Sequence, residues 1–333
     1  MKNGIYIYGI IKTGGPQEFG KIGIGEEATP TETIECKDVA AVVSRSPFMV
    51  YDSLAKEKIV KDLVTHQFVL ERVMESFTII PVKFGTMVET EDEAIEFLAK
   101  GYSLLSEQLD KVEEKVELDV VASWELPKIL PTIYRHNDQI QKKQNEIALL
   151  GNRVSVEDKV ALGKLTEQAL ISRKAEYNQL ILQTLKETVI DTCMHDLPDD
   201  AMIFNSAFLL EKKNEEAFHQ LINKLDQKLE NTVNFRIVGP LPLYSFSTIV
   251  FESIDPLKVK EAQEVLELRD HLTEKTLRDA YHHMAQKYHP DKSSREDATK
   301  FPRIHSAYTT LKNFMENGLM HVEIYHWEKD FTS

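Results

Sequence analysis

The sequence feature that most constrains the fold is a His289-Pro290-Asp291 turn, which joins two amphipathic helical patterns. Proline disfavours helical geometry at the residue before it, so the first helix has to end at this turn. Thr273 is a candidate N-cap for that helix, because its hydroxyl can accept an amide hydrogen bond from the first turn. The sequence therefore predicts a helix from Thr273 to the turn and a second helix after a polar loop.

Each of the two patterns carries one apolar stripe. The stripe before the turn consists of Leu277, Ala280, Tyr281, Met284, Ala285 and Tyr288, and the stripe after it of Phe301, Ile304, Ala307, Tyr308 and Leu311. Steps of three and four residues place the members of a stripe on one side of a helix. Two such stripes can pack against each other, which predicts an antiparallel helical hairpin.

The N-terminal part of the chain mixes strand and helix patterns. Ile5 to Ile11 and Val39 to Ser44 are strand-like, whereas apolar residues between Ala55 and Glu75 recur at helical spacing. Pro81 interrupts a β-rich run and predicts a strand end or a sheet edge there. From Val116 to Trp124, apolar residues occupy every second position, which predicts a strand with one buried face. These patterns indicate an α+β fold with helices on one side of a sheet.

The middle of the chain predicts a second α+β domain. Pro127 and Pro131 suggest a linker at residues 126 to 133. A long helical region follows and is broken near Gly151. A strand, a helix and two further strands come next, and the last two strands flank the sequence GPLPLYS. The predicted domains are therefore 1–125, 126–255 and 256–333, the last of them all-α.

Composition narrows the classes of function. The 333 residues carry a net charge of −14, which repels nucleic acid unless a local basic patch overrides it. Cys36 and Cys193 lie far apart and outside any CxxC spacing, which excludes a disulfide framework and suits a reducing cytosol. No stretch approaches the roughly 20 apolar residues of a membrane span. We expect a cytoplasmic protein that binds neither nucleic acid nor membrane.

No residue set has the spacing of a catalytic or metal site. The glycines of FGKIGIGEE fit neither a dinucleotide-binding loop nor a P-loop. His282 and His283 point to different faces of a helix, and no further ligand completes a metal set. We therefore expect no catalytic residues, no metal and no cofactor. Tyr244 and Phe246 are candidate partner-binding residues, and core packing explains them equally well.

The C-terminal hairpin resembles a J-domain. The resemblance is carried by AYHHMAQKYHPDK, followed by F-x-x-I-x-x-A-Y-x-x-L. In that family the His-Pro-Asp loop between the second and third helices docks on an Hsp70 chaperone and stimulates its ATP hydrolysis. His289, Pro290 and Asp291 match this motif position by position. The resemblance implies that these three residues contact Hsp70.

A second resemblance covers most of the chain before the hairpin. The runs PVKFGT, KVELDVVASWE and GPLPLYSF are similar, in order and spacing, to the gas vesicle protein family GvpF/GvpL. The family implies a ferredoxin-like N-terminal α+β domain and a second α+β domain with long helices. It also implies an accessory protein of the gas vesicle that works with other accessory proteins. Such a protein binds the hydrophobic shell protein GvpA and limits its aggregation.

Three classes of function remain open. The first is a gas vesicle assembly factor that holds the shell protein and recruits Hsp70. The second is a general J-domain co-chaperone with an unrelated client-binding domain. The third is an enzyme with a regulatory J-domain, for which no nucleophile–base pair is visible in the sequence.

Overall fold

The computed structural model describes residues 3–25, 27–49, 51, 55–229, 232–268, 272–288 and 300–326. Two compact units are present. The first consists of Met1–Lys111 with Ile249–Tyr325, and the second of Val112–Thr248 with His326–Ser333. The first unit is discontinuous, because the chain leaves it after residue 111 and returns at residue 249. The domain boundaries 1–125, 126–255 and 256–333 stay a prediction.

The first unit is built on an antiparallel sheet. Its strands are β1 (Asn3–Lys12), β2 (Glu18–Gly23), β3 (Thr29–Cys36), β4 (Val39–Pro47), β5 (Ile79–Pro81) and β6 (Met87–Val88). Their order is β2-β3-β4-β1-β5, and β6 also pairs with β1. Strand β1 is central and almost wholly buried. Pro81 ends the outermost strand β5, as its missing N–H predicted.

Two helices pack in this unit, α1 (Lys56–Met74) and α2 (Glu91–Val112). The start of α2 is capped, because the Thr90 hydroxyl accepts a hydrogen bond from the amide of Glu93 at 3.2 Å. The Glu93 carboxylate in turn accepts from the amide of Glu89 at 2.8 Å. Its acidic first turn also suits the positive end of the helix dipole.

A second antiparallel sheet organises the second unit. Its strands are β7 (Lys115–Trp124), β8 (Asp191–Met194), β9 (Met202–Glu211) and β10 (Val233–Leu241), in the order β10-β7-β9-β8. The predicted alternation in β7 is confirmed, since Val116, Leu118, Val120, Ala122 and Trp124 are all buried. They form one core with side chains from the helices of this unit.

The helices of the second unit are α3 (Leu126–Arg135), α4 (Asp138–Leu150), α5 (Val156–Leu185) and α6 (Glu215–Lys228). The linker predicted at residues 126 to 133 is wrong, because this segment is helix α3. Pro127 lies in the first turn of α3, where a helix tolerates proline since the missing N–H has no partner there. The predicted break is confirmed, and a 3-10 turn at Gly151–Arg153 separates α4 from α5.

The strands on either side of GPLPLYS belong to different sheets. Strand β10 pairs with β7, whereas β11 (Thr248–Ser253) pairs with β12 (Met320–Tyr325) near the C-terminus. Between β11 and β12 lie α7 (Pro256–Val265), α8 (Glu274–Lys287) and α9 (Phe301–Asn317). The amide of Ile254 donates to the carbonyl of Leu319 at 2.8 Å, which joins the two ends of this helical module. The module is thus inserted between two paired strands.

The β11–β12 pair packs on helix α2. Phe97 of α2 stacks on Phe251 of β11 with ring centroids 4.9 Å apart. Next to it, Gly101 of α2 leaves room for Val322 of β12, so close that a Cβ at residue 101 would lie 2.9 Å from Val322 Cγ1. The α+β fold class, with an antiparallel N-terminal sheet and a helical C-terminal segment, is confirmed.

We predict opposite effects for two helical glycine-to-alanine substitutions. Gly163→Ala in α5 meets nothing within 4 Å and should raise the free energy of unfolding by about 0.5–1 kcal/mol, since alanine is the better helix former. Gly101→Ala should instead lower it by about 1 kcal/mol or more, because the β-branched Val322 cannot move aside without disturbing β12. Denaturant unfolding measures both, and equal stabilisation by the two variants would contradict the packing of β12 on α2.

Candidate partner-binding sites

The C-terminal helical module is capped as the sequence predicts. The Thr273 hydroxyl accepts a hydrogen bond from the amide of Thr276 at 3.2 Å, and the Thr276 hydroxyl accepts from the amide of Thr273 at 2.9 Å. Pro302 lies in the first turn of α9, a position that proline tolerates. Both helices of the predicted hairpin therefore exist, and each begins at a residue suited to starting it.

The two predicted apolar stripes form one small core. Leu277 and Met284 of α8 are buried against Ile304, Ala307 and Leu311 of α9. The rings of Tyr281 and Tyr308 lie with their centroids 4.4 Å apart across the same interface. Helix α7 closes the core with Val259, Ala262 and Leu266. The core is therefore shared by all three helices, α7, α8 and α9.

The predicted Hsp70-contact residues His289, Pro290 and Asp291 lie outside the described residues, so their contact role stays a prediction. The structure describes both flanks of this segment. Tyr288 follows α8, and Nζ of Lys300, at the start of α9, lies 4.9 Å from the centroid of its ring. This distance is within the range of a cation–π contact. The contact holds the end of α8 next to the beginning of α9.

The PVKFGT run forms part of a buried aromatic and polar network in the first unit. The amide of Gly85 donates to the hydroxyl of Tyr6 at 3.0 Å. Gly85 has a φ of +86°, and a Cβ at this position would lie 3.0 Å from the ring of Tyr51. Phe84 packs its ring against Tyr51 at 4.7 Å and against His66 at 5.6 Å. Glycine is therefore required at position 85 by both backbone conformation and space.

Two polar residues of α1 point into this network. The ring Nδ1 of His66 is hydrogen-bonded to the Tyr6 hydroxyl at 3.0 Å, and the Tyr51 hydroxyl donates to Asp62 at 3.1 Å. Burial lowers the pKa of His66 to about 4, so its ring is neutral at neutral pH. His66 Nε2 is buried and has no hydrogen-bond partner among the residues that the structure describes. The buried side of α1 is thus partly polar.

The GPLPLYSF run is fixed to the second sheet by a buried carboxyl group. Glu117 of β7 accepts hydrogen bonds from the amide and from the hydroxyl of Ser245, each at 2.9 Å. The Ser245 hydroxyl also lies 3.3 Å from His195 Nε2. Glu117 is only 2% exposed. Its two hydrogen bonds anchor the segment that connects β10 to β11.

The environment of Glu117 favours its protonated form. Burial raises its pKa to about 8, and the nearby Asp119 adds to the rise, whereas the hydrogen bonds from Ser245 act against it. Burial likewise raises the pKa of Asp119 to about 6. The two carboxyl groups occupy alternate positions of β7 and so lie on the same face of the sheet.

The predicted partner-binding residues Tyr244 and Phe246 lie beside this anchor. The Phe246 ring is 7% exposed, and its carbonyl accepts a hydrogen bond from the ring of His326. Tyr244 is half-buried, and its carbonyl accepts from the Thr248 hydroxyl at 2.9 Å. Core packing accounts for the Phe246 ring. Contact of these two residues with a partner stays a prediction.

Within the described ranges, no group of three or more histidine, cysteine, aspartate or glutamate side chains could hold a metal ion. In the same part of the chain, no helix has both the length and the apolar character needed to cross a membrane.

Comparison with known families decides the affiliation of the chain. Residues 4–248 match the family described as gas vesicle synthesis protein GvpL/GvpF. The chain belongs to the GvpL/GvpF family. Residues 262–316 match the DnaJ domain, a range that contains all of α8, nearly all of α9 and the last four residues of α7. Both resemblances inferred from the sequence are confirmed.

Several curated relatives carry the name gas vesicle protein F. The protein from Nostoc sp. is 25% identical over 255 residues, which is 75% of this chain and 100% of the relative. That from Streptomyces sp. is 28% identical over 243 residues, which is 72% of this chain and 98% of the relative. These relatives are thus aligned along nearly their whole length. About a quarter of this chain, comparable in size to the C-terminal module, lies outside each alignment.

Two solved structures share the fold. The crystal structure of GvpF from Anabaena sp. superposes with a TM-score of 0.61 at 24% identity, over 73% of this chain and 97% of that one. GvpF from Microcystis aeruginosa gives a TM-score of 0.55 at 23% identity, over 73% and 98% of the two chains. At these identities the likeness concerns the fold.

Sequence reasoning missed the buried polar groups. Glu117 occupies a position of β7 that alternation assigns to the more polar face, and nothing in the strand pattern shows that the GPLPLYSF segment covers it. His66 and Asp62 were missed as well, because their partners Tyr6 and Tyr51 are distant in sequence. The available signal was a polar residue at an inward-facing position of α1. This signal can be recognised only when the orientation of the helix is already known.

Glu117 predicts a pH dependence of stability. Because its folded pKa lies above the unfolded one, the folded state binds more protons between about pH 5 and pH 8. The contribution of Glu117 to the free energy of unfolding should therefore fall as pH rises through this window, by an amount on the order of 2 kcal/mol or more. Glu117→Gln should remove this part of the slope, and it should destabilise less at pH 8 than at pH 6. Denaturant unfolding at a series of pH values measures the effect.

The exposed Glu167→Gln serves as the control and should keep the wild-type profile. The unfolding free energies of wild-type protein and of Glu117→Gln would follow one pH profile only if Glu117 were ionised in the folded state. Parallel profiles would therefore contradict the burial of this carboxyl group.

Proposed function

We propose that this chain is a gas vesicle assembly factor that binds the shell protein GvpA, limits its aggregation and recruits Hsp70 through its DnaJ segment. One observation carries the proposal. A GvpL/GvpF fold over residues 4–248 and a DnaJ match over residues 262–316 occur in one chain. The DnaJ helices are folded between β11 and β12, and not at the end of a loose tail.

The combination has a physical rationale. A shell subunit with an apolar face is an aggregation hazard until it is assembled, because exposed apolar surface and unpaired strand edges associate without specificity. A protein that covers this face prevents such association. Hsp70, recruited to the same complex, supplies ATP-driven release and rebinding of the subunit. One polypeptide thereby both binds the shell subunit and transfers it to Hsp70.

The proposal includes a location and a limited set of partners. We place the protein in the cytoplasm and at the gas vesicle, with the shell protein, other gas vesicle accessory proteins and Hsp70 as partners. The net charge of −14 argues against nucleic acid as a partner. We further propose that the chain acts by binding and not as an enzyme, with no cofactor of its own.

The proposed coupling to Hsp70 predicts that one substitution abolishes the stimulation of ATP hydrolysis. Wild-type protein should stimulate steady-state ATP hydrolysis by the cognate Hsp70 several-fold, and Asp291→Asn should abolish the stimulation, because it removes the negative charge of the His-Pro-Asp motif. Asp279→Asn makes the same chemical change at an exposed position of α8 and should retain it. Absence of stimulation by wild-type protein, or equal stimulation by Asp291→Asn, refutes Hsp70 coupling.

The proposed binding of the shell protein predicts that the chain binds it in preference to unrelated unfolded proteins. The DnaJ match by itself also fits a general co-chaperone. The two functions differ in the client that the chain binds, so client binding distinguishes them. In a co-purification with equal amounts of shell protein and an unrelated unfolded protein, we expect the shell protein to be captured preferentially. Indiscriminate capture of both would favour the general co-chaperone.

A further inference from the structure

Helix α1 carries a row of large apolar side chains on its outward face. Val60, Leu63, Val64 and Phe68 are 52%, 48%, 64% and 53% exposed. Val60, Val64 and Phe68 follow one another at intervals of four residues, so they form one ridge along the helix. Together the four side chains expose on the order of 300 Å² of apolar surface, which is the size of the largest such patch on a typical monomer.

The usual polarity of a surface helix is inverted here. A helix at the surface of a domain normally turns its apolar stripe inward and its polar residues outward. In α1, however, the polar residues Asp62 and His66 are buried along with Val69, Leu70 and Val73. Asp62 is held by Tyr51 and His66 by Tyr6. Rotating α1 to bury the ridge would break both hydrogen bonds, so the ridge is fixed outward.

Charged side chains border the ridge unevenly. Lys56 and Lys61 are exposed beside its N-terminal half, and Glu71 is exposed at its C-terminal end. Lys58 adds a third, half-buried cation near the start of the helix, and the exposed Glu57 offsets one of these three charges. A local excess of positive charge in a chain of net charge −14 favours a partner segment with carboxylates at one end.

A second copy of this chain fits the ridge poorly. In an antiparallel pairing centred on Val64, helical spacing places Lys56 opposite Arg72 of the second copy and Glu57 opposite Glu71 of the second copy. A parallel pairing in register places each lysine opposite itself. Both arrangements bring like charges together, which is unfavourable. The charges therefore disfavour a second copy in these two registers, and a different sequence is the better occupant.

We propose that the outward face of α1 binds an amphipathic helix of the client, with the apolar side of that helix on the ridge and its carboxylates near Lys56 and Lys61. This inference rests on the client-binding function proposed above. From Val60 to Phe68 the ridge extends about 12 Å, so two to three turns of a partner helix cover it. Residues spaced at four form the ridge that packs into the groove of a second helix.

The test compares two matched pairs of exposed valines. Val60→Ser/Val64→Ser removes the N-terminal half of the ridge, whereas Val156→Ser/Val160→Ser makes the same change on α5, where the valines are 73% and 50% exposed. Shell protein is diluted from denaturant into each variant, and light scattering gives the concentration that halves its aggregation. We expect the ridge variant to require at least about ten times more protein, and the α5 variant to match wild type.

A charge comparison tests the second part of the inference. Lys56→Glu/Lys61→Glu should weaken the suppression of aggregation at low salt, and added salt should reduce the difference from wild type. Lys159→Glu/Lys164→Glu, on exposed positions of α5, makes the same net change of charge and should leave suppression at the wild-type level. Equal effects of the two pairs would overturn the role of Lys56 and Lys61.

The outcomes distinguish a failure of the ridge as the binding surface from a failure of the proposed client binding. If wild-type protein suppresses aggregation and Val60→Ser/Val64→Ser does so equally well, the ridge is wrong and the client-binding function stands. If wild-type protein has no effect, both are wrong. A wild-type dimer that the ridge variant converts to a monomer, measured by sedimentation without client, would also overturn the inference. Circular dichroism confirms that each variant is folded.

Discussion

Two hydrogen bonds, one buried and one partly buried, hold helix α1 against the direction in which its apolar residues would otherwise turn it. Tyr6 is bonded to His66 and Tyr51 to Asp62, inside a network of aromatic rings. A buried hydrogen bond contributes only about 1 kcal/mol, but leaving its polar groups without partners costs about 1–3 kcal/mol more for each. The orientation of α1 is therefore determined by its polar residues, and the apolar ridge remains outside.

The same network restricts which residues can occupy the PVKFGT run. Gly85 donates to Tyr6 and leaves space for Tyr51, while Phe84 packs against both Tyr51 and His66. A change in this run would disturb the groups that orient α1. In the first unit, one local sequence thus supports both the core and the surface that we assign to the client. The strand pair β11–β12 adds the DnaJ module to the same unit.

Local patterns in the sequence predicted much of this fold, because the information they need is local. The alternation in β7, the Thr273 cap and the helix break near Gly151 depend on residues within a few positions of one another. Pro127 misled the prediction, since proline in a first helical turn and in a linker give the same signal, and Pro131 lies inside α3 although proline normally disfavours a helix interior. Contacts between distant residues were beyond prediction. Neither the burial of Glu117 under Ser245 nor the assignment of β10 and β11 to different sheets has a local signature.

The central claim is that one chain brings the gas vesicle shell protein and Hsp70 together. The most direct measurement is capture of Hsp70 on immobilised shell protein, with ATP present, in the presence and absence of this chain. The account predicts that Hsp70 is retained in amounts that rise with added chain and that are far lower without it. Retention of Hsp70 that is independent of the chain, or no retention although the chain itself is bound, would contradict the account.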